Sequence, residues 1–336
     1  MNFRNSILIL GLILPYCLLS NEKLLIITHN YSQPAFIDLQ YRSFKKFLID
    51  DFEYVVFNDA TDHNIARTID SMCISIGIQC YKVPQKNRTR ANLKLDLNRG
   101  IFWAAARHAE AIHYSMDIVA FKHPGLVMMI DSDMLLIKQF SVATFMQDYD
   151  IAGLRQVRDE KIRYLWAGLM FFRMDKLPHK NSMQFKNGLI DGTYVDSGGF
   201  LHYYFQENPQ LKILCFDQEY RHFIDENWSN YIFPSHFNGN NFQTWPQYLQ
   251  CKNCKSTKKT CPHNTRILKE LNFDATIIQA IRAKKFPPKV EFILKDTFLH
   301  YQDGSNYANQ SPKFIKQKKE LLFNFMTDIL NCHDKK

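Results

Sequence analysis

The chain has 336 residues, 46% of them hydrophobic and 22% charged, the proportions of an ordinary globular protein with a sizeable core and room for one large domain or two modest ones. No internal repeat and no low-complexity linker interrupts it, which sets aside repeat and disordered architectures. The net charge of +9 suits an anionic small ligand, a nucleic acid or a membrane surface, and general solubility explains it equally well; the one clear basic cluster, "SPKFIKQKKE", reads as a solvated helix face, so no nucleic-acid partner is expected and membrane contact would be peripheral. In chain order, residues 1–20 hold one arginine, an apolar run from Ile7 to Leu19 and then small or polar residues. Thirteen apolar residues fit a signal-peptide core and are short for a bilayer span, so a secreted or secretory-lumen protein is expected, with an uncleaved N-terminal anchor as the alternative. "KLLIIT" reads as a strand and "PAFIDLQYRSFKKFLI" as an amphipathic helix. "FEYVVFND" is a second strand, "NIARTIDSMCISIG" a helix, "IQCYKV" a third strand, "LNRGIFWAAARHAEAIHYSMDIVA" a long helix and "GLVMMID" a fourth strand. Strands this continuously apolar, alternating with helices, predict an α/β fold with a mostly parallel sheet covered on both faces. Beyond residue 133 that rhythm is lost: "YDIAGL" and "LWAGLMFFRM" read as strands, irregular segments follow, and a helix over "SPKFIKQKKELLFNFMTDIL" closes the chain.

The stretch "LVMMIDSDMLLI", residues 126–137, places Asp131 and Asp133 inside an otherwise apolar run. Asp131 is the first polar residue after the fourth strand, and ligands of open α/β sheets bind at the carboxyl ends of strands. If the chain stays extended, residues two apart point the same way, so both carboxylates would face one cavity. Two such neighbours raise each other's pKa, and a divalent cation relieves the repulsion; hard oxygen donors suit Mg²⁺ or Mn²⁺. A solvated turn or helix cap is the plain alternative for so short a pattern.

"MMIDSDMLLI" resembles the Asp-x-Asp segment of GT-A-fold nucleotide-sugar glycosyltransferases. "LLIITHN", with Thr28 and Asn30, resembles their first strand, whose end meets the nucleotide. "VVFNDA", with Asp59, resembles the segment that reaches base or ribose. "LWAGLMFFRMDKL" is similar to a strand that follows the Asp-x-Asp, with Trp166 where Asn is often found, and "FLHYQDGSNY" resembles the late His segment that completes the metal site. The resemblance spans residues 23–307. It implies a nucleotide-binding half over 21–133 and an acceptor half over 134–310, with 311–336 as a basic C-terminal helix. It implies a nucleoside-diphosphate sugar as donor, a glycan, protein or lipid as acceptor, and Mn²⁺ or Mg²⁺ held by Asp131, Asp133 and His300. Gly304 lets the loop beside His300 approach a phosphate. Arg88, Arg90 and Arg99 are candidates for phosphate or base contact, with plain surface charge as the alternative. Asp196, in "TYVDSGGFLHYY", is the candidate general base should the reaction invert, with Asp217 as its alternative and a simple Asp-Ser-Gly-Gly turn as the bland reading.

Two other classes fit parts of the pattern. A haloacid-dehalogenase-like phosphohydrolase also places Asp-x-Asp after a strand, though near its N-terminus, and a non-catalytic secreted carbohydrate-binding protein could keep the fold alone. Past the apolar leader the cysteines are Cys73, Cys80, Cys215, Cys251, Cys254, Cys261 and Cys332, an odd number, and a secretory route permits disulfides. Cys251, Cys254, Cys261 and His263 suit either a structural Zn²⁺ or a disulfide clip. N-glycosylation triplets begin at Asn30, Asn87, Asn227 and Asn309.

Overall fold

A computed structural model describes residues 23–84, 101–159, 161–216, 218–223, 231–234, 290–294, 297–301 and 312–332. The first part runs β1 (Leu24–Asn30), α1 (Pro34–Phe47), β2 (Phe52–Asn58), α2 (His63–Ile76), β3 (Gln79–Lys82), α3 (Ile101–Ile118) and β4 (Leu126–Ile130). Local chemistry sets these boundaries. α1 opens on Pro34, whose missing N–H costs nothing in a first turn. α2 is capped by Asp62, whose carboxylate accepts from the Asn64 and Ile65 amides, and it ends where Gly77 turns left-handed at φ 70°. The later elements are β5 (Met134–Leu136), α4 (Val142–Phe145), β6 (Ile151–Asp159), β7 (Ile162–Arg173), β8 (Gly188–Ile190), β9 (Thr193–Val195), α5 (Leu201–Glu207), β10 (Ile213–Phe216), β11 (Gln218–Phe223), β12 (Tyr231–Pro234), β13 (Val290–Ile293), β14 (Phe298–Tyr301) and α6 (Pro312–Cys332).

A seven-stranded sheet of order β10-β6-β7-β4-β1-β2-β3 forms the centre. All its strands run in one direction except β7, which is antiparallel to both β4 and β6. The apolar strands are explained by burial on both faces. Leu24, Ile26, Tyr54, Val56, Met128 and Ile130 face one core with α1, α2 and α6; Leu25, Ile27, Val55, Phe57, Val127 and Met129 face a second core with α3 and α5. The predicted α/β class and mostly parallel sheet are therefore present. The irregular second half is less separate than its sequence reads: β6, β7 and β10 extend the same sheet, while β5, β11, β12, β13 and β14 form an antiparallel sheet of order β12-β11-β13-β14-β5. α6 docks on α1 through Leu322, Phe325 and Met326, with Phe323 stacked on Phe36. The Lys46 amine donates to Leu330 O, and the Lys319 amine to Gln33 Oε1 at 2.9 Å. Among the described residues no helix is long and apolar enough to cross a membrane; the N-terminal apolar run lies outside them.

Candidate functional site

β1, β2 and β4 are parallel and in register, so Tyr31, Asp59 and Asp131, each one residue past its strand, emerge at one edge of the sheet. Asp131 and Asp133 do not lie on an extended chain, contrary to the sequence expectation. They occupy a turn closed by the Met134 amide donating to Asp131 O at 3.1 Å, after which β5 leaves for the second sheet. Gln40, fully buried on α1, fixes this turn: its Nε2 donates to Asp131 O at 2.9 Å and Met134 O at 2.6 Å, and its Oε1 accepts from Tyr54 at 2.6 Å. β14 pairs antiparallel with β5, placing His300 opposite Met134, and the Tyr301 amide donates to Asp133 O at 2.9 Å. The strand pairing thus delivers an imidazole from the C-terminal part of the chain. His300 Nε2 lies 3.6 Å from Asp133 Oδ1, and one ligand atom each from Asp131, Asp133 and His300 falls within 4.8 Å of the others.

Electrostatics mark the cluster as short of positive charge. The Asp131 carboxyl is pushed up to about 8, first by burial, then by the Asp133 charge; Asp196 adds to the rise and His300 opposes it. Two carboxylates and an imidazole are a donor set for Mg²⁺ or Mn²⁺, and a divalent cation supplies what the acids lack.

His108, on α3, completes the surroundings. Its Nε2 lies 3.4 Å from Asp131 Oδ1 and its Nδ1 3.4 Å from Ser197 Oγ. Burial and then the Arg107 charge lower its pKa to about 4, so the ring is neutral near pH 7. The contact with Asp131 is therefore not an ion pair: a neutral imidazole offers one N–H and one bare nitrogen, divided between the Asp131 carboxyl and the Ser197 hydroxyl. His29 packs edge-on against His108 at 5.6 Å and is likewise held well below its usual value, by burial and then by His108.

Trp166 sits 5.2 Å from the His300 ring, centroid to centroid. It reaches there because β7 bulges: the β6 pairing jumps from Gly153 opposite Met170 to Leu154 opposite Trp166. The indole lies over Gly168, where a Cβ would come within 2.2 Å of the ring, and Gly168 O accepts the Asp131 amide at 2.8 Å.

The other expected residues divide. Asp59 is buried, with its Oδ2 2.7 Å from Arg107 Nη1, and the Arg107 guanidinium stacks on Tyr31 at 3.4 Å, so a preformed ion pair under an aromatic ring stands at the sheet edge. Thr28 and Asn30, expected as nucleotide contacts, are both enclosed. Thr28 is fully buried, with an Oγ1 that makes no hydrogen bond. The Asn30 amide is consumed by Gln33, donating to its carbonyl at 2.9 Å and accepting its N–H at 3.1 Å; full burial also denies Asn30 a glycan in the folded chain. Asp196 begins a tight turn: its Oδ1 accepts from the Ser197 amide at 2.7 Å, and its N–H donates to the Tyr164 hydroxyl at 3.2 Å. Arg88, Arg90, Arg99, Asp217, Cys251, Cys254, Cys261, His263 and Gly304 lie outside the described residues. Gln40, Arg107, His108 and Ser197 were missed by sequence reasoning. The one available signal was "WAAARHAEA", where Arg107 and His108 stand side by side in an alanine-rich stretch of helix.

No protein-family model matches the chain, and no curated protein matches it. Solved structures similar to it include the WbbM bifunctional glycosyltransferase in its apo form, at 10% identity over 48% of this chain and 33% of that one, with a TM-score of 0.32. Another is the mannosyltransferase PcManGT from Pyrobaculum calidifontis in complex with GDP-Man and Mn²⁺, at 11% identity over 58% of this chain and 55% of that one, with a TM-score of 0.36. In both cases the chain spans less than two thirds of the similar structure's length.

Proposed function

We propose that the protein is a metal-dependent glycosyltransferase that moves a sugar from a nucleoside-diphosphate sugar to a glycan, protein or lipid acceptor, working in the secretory lumen that its N-terminal apolar run suggests. The observation that supports this reading is the convergence of Asp131, Asp133 and His300 on a space of ion size at the carboxyl edge of the parallel strands. In this reading those three side chains hold Mn²⁺ or Mg²⁺. When bound, the cation supplies the positive charge that stabilises a departing nucleoside diphosphate.

The chain's own residues do the rest. Tyr31 and the Asp59–Arg107 pair, at the mouth of β1 and β2, line the approach for the nucleoside. Trp166 walls the His300 side and keeps water from the cluster. His108, whose Nε2 lies 3.4 Å from Asp131 Oδ1, packs against that carboxyl and limits its orientation. An inverting transfer needs a base for the acceptor hydroxyl, and Asp196 takes that role: its charge reaches Asp131, and among the described residues its carboxylate accepts only from the Ser197 amide.

Nucleoside diphosphates with Mn²⁺ should raise the Tm of the wild type and leave Asp133→Ala unmoved, and a screen of nucleotide sugars should find one hydrolysed with Mn²⁺ by the wild type alone. Phosphate release from aryl phosphates with Mg²⁺, in the absence of any nucleotide-sugar turnover, would instead identify a phosphohydrolase. A wild type indifferent to both ligands would identify a binding protein.

A further inference from the structure

We propose that Cys73 and Cys80 are the two ends of a disulfide that ties α2 to the edge strand β3. Cys73 lies in the last turn of α2. The chain leaves that turn through left-handed Gly77, with the Ile78 amide donating back to Cys73 O at 3.0 Å, so β3 starts directly beneath the helix end. β3 pairs parallel with β2, Cys80 opposite Val56 and Tyr81 opposite Phe57. Alternation then separates the two faces: Tyr81 stacks on Phe57 at 5.3 Å on the α3 side, while Cys80 turns to the side that holds Val56 and Cys73. The two side chains share that core, and Cys73 is the first of the neighbours that hold the Cys80 thiol above its ordinary value. Cys73 is fully buried and Cys80 partly exposed. Asp70, one turn before Cys73, accepts from Cys80 Sγ at 3.5 Å. Among the described residues the one metal-sized group is Asp131, Asp133 and His300, so the thiol pair with Asp70 is not a second such group.

The exposure difference orders the chemistry. Cys80 is the thiol that a small disulfide, such as oxidised glutathione, can reach. Its thiolate attacks one sulfur of that disulfide and expels one small thiolate. Cys73 then attacks the Cys80 sulfur of the mixed disulfide and expels the second. Two protein thiols are oxidised, one small disulfide is reduced to two small thiols, and the two protons released end on those thiols or in solvent. The neighbouring Cys73 thiol, burial and the Asp70 charge all push the Cys80 thiol up, so the reaction is slow at neutral pH and quickens as pH rises. The consequence is local: β3 is the last strand of the central sheet, and the bond fastens this edge to the helix that covers it.

The full chain is equilibrated in glutathione buffers from fully reduced to fully oxidised, quenched in acid, denatured, alkylated and mapped by mass spectrometry. The expected result is a linked pair of peptides containing Cys73 and Cys80, lighter by two hydrogen atoms, in the oxidising buffers. A Tm rise on oxidation should accompany it and be absent from Cys73→Ser/Cys80→Ser. If that double variant fails to fold, Cys80→Ala serves instead, and Cys73 should then be alkylated in every buffer after denaturation. Full alkylation of both cysteines in the most oxidising buffer, or their recovery linked to other cysteines, overturns the proposal. Neither result bears on the transferase reading, which a metal and nucleotide titration tests separately.

Discussion

Gln40 donates to Asp131 O and Met134 O and accepts from Tyr54, spanning the turn from which both carboxylates project. Gln40→Leu keeps the bulk but removes a donor from Met134 O and the acceptor of the Tyr54 hydroxyl, while Asp131 O keeps the Met134 amide. Each lost partner costs about 1–3 kcal/mol, so the variant should lose roughly 2–6 kcal/mol in urea denaturation and bind Mn²⁺ more weakly even where it remains folded. His108 should behave differently, because it touches the carboxylate and not the backbone that holds it. His108→Ala should leave urea stability nearly unchanged and weaken Mn²⁺ binding about two- to five-fold, the equivalent of roughly 0.5–1 kcal/mol for one polar neighbour of the carboxyl; His108→Gln, which keeps a polar group there, should restore most of it. A third imidazole gives a pH dependence away from the cluster. His113 Nε2 accepts the Phe185 amide at 2.9 Å, which requires a neutral ring, and burial and then Lys186 lower its pKa to about 4. The unfolded chain protonates near the ordinary 6.5 while the folded chain resists. Stability is therefore complete above pH 6.5 and falls as pH drops toward 4, by about 2 kcal/mol at pH 5 from this group alone. The difference between the urea midpoints of wild type and His113→Gln should be constant above pH 6.5 and shift against the wild type as pH falls from 6.5 toward 4.

At the scale of elements, the segment from β7 to α5 depends on backbone that only glycine tolerates. Gly198 has φ 89°, and a Cβ there would sit 2.5 Å from Leu165 O. This close approach presses the Asp196–Ser197 turn against β7, beside Trp166, and the Gly198 amide donates to Phe185 O at 2.8 Å. Gly198→Ala must either strain the turn or push it off the strand, at a cost of about 1–3 kcal/mol. For a chain of this size that is a Tm decrease of several degrees, and the displaced turn should carry Ser197 away from His108. Other elements were open to reading in the sequence. β1, β2 and β4 announce themselves as unbroken apolar runs because both faces are buried, and α1 and α2 by their caps and spacing. The direction of β7 was not legible: a buried strand reads the same whether parallel or antiparallel, and only the pairing with β4 and β6 settles it. Nor was the bulge that aims Trp166, since Gly168 in "WAGL" also fits a plain strand.

On the whole-molecule scale the site is a junction of two sheets. The acidic couplet lay open in the sequence because it follows a buried strand, yet its convergence has a cause the sequence does not display. It arises from a turn that hands the chain from β4 in the central sheet to β5 in the second, not from strand alternation. Thr28 and Asn30, at the end of "LLIITHN", are enclosed, Asn30 by its bonds to Gln33, a placement set by the start of α1 and not by the strand's own residues. His300 reaches the couplet only when β14 is paired with β5, which makes the docking of the second sheet and the completion of the proposed ion site one event. A ligand that binds only the docked arrangement stabilises it by linkage, about 2.7 kcal/mol at one hundred times Kd. The gain must appear where docked and undocked states differ. Saturating Mn²⁺ should therefore slow amide hydrogen exchange in β5 and β14, and at the Tyr301 amide that donates to Asp133 O, far more than in β2 and β3, whose pairing is the same in both states. In His300→Ala the ion retains the two carboxylates and loses its tie to β14, so protection should persist at the 131–134 turn and vanish from β14. Uniform protection across both sheets in the wild type would mean that the second sheet is already fixed without the ion, and that His300 is a bystander of the fold and not the link between the sheets.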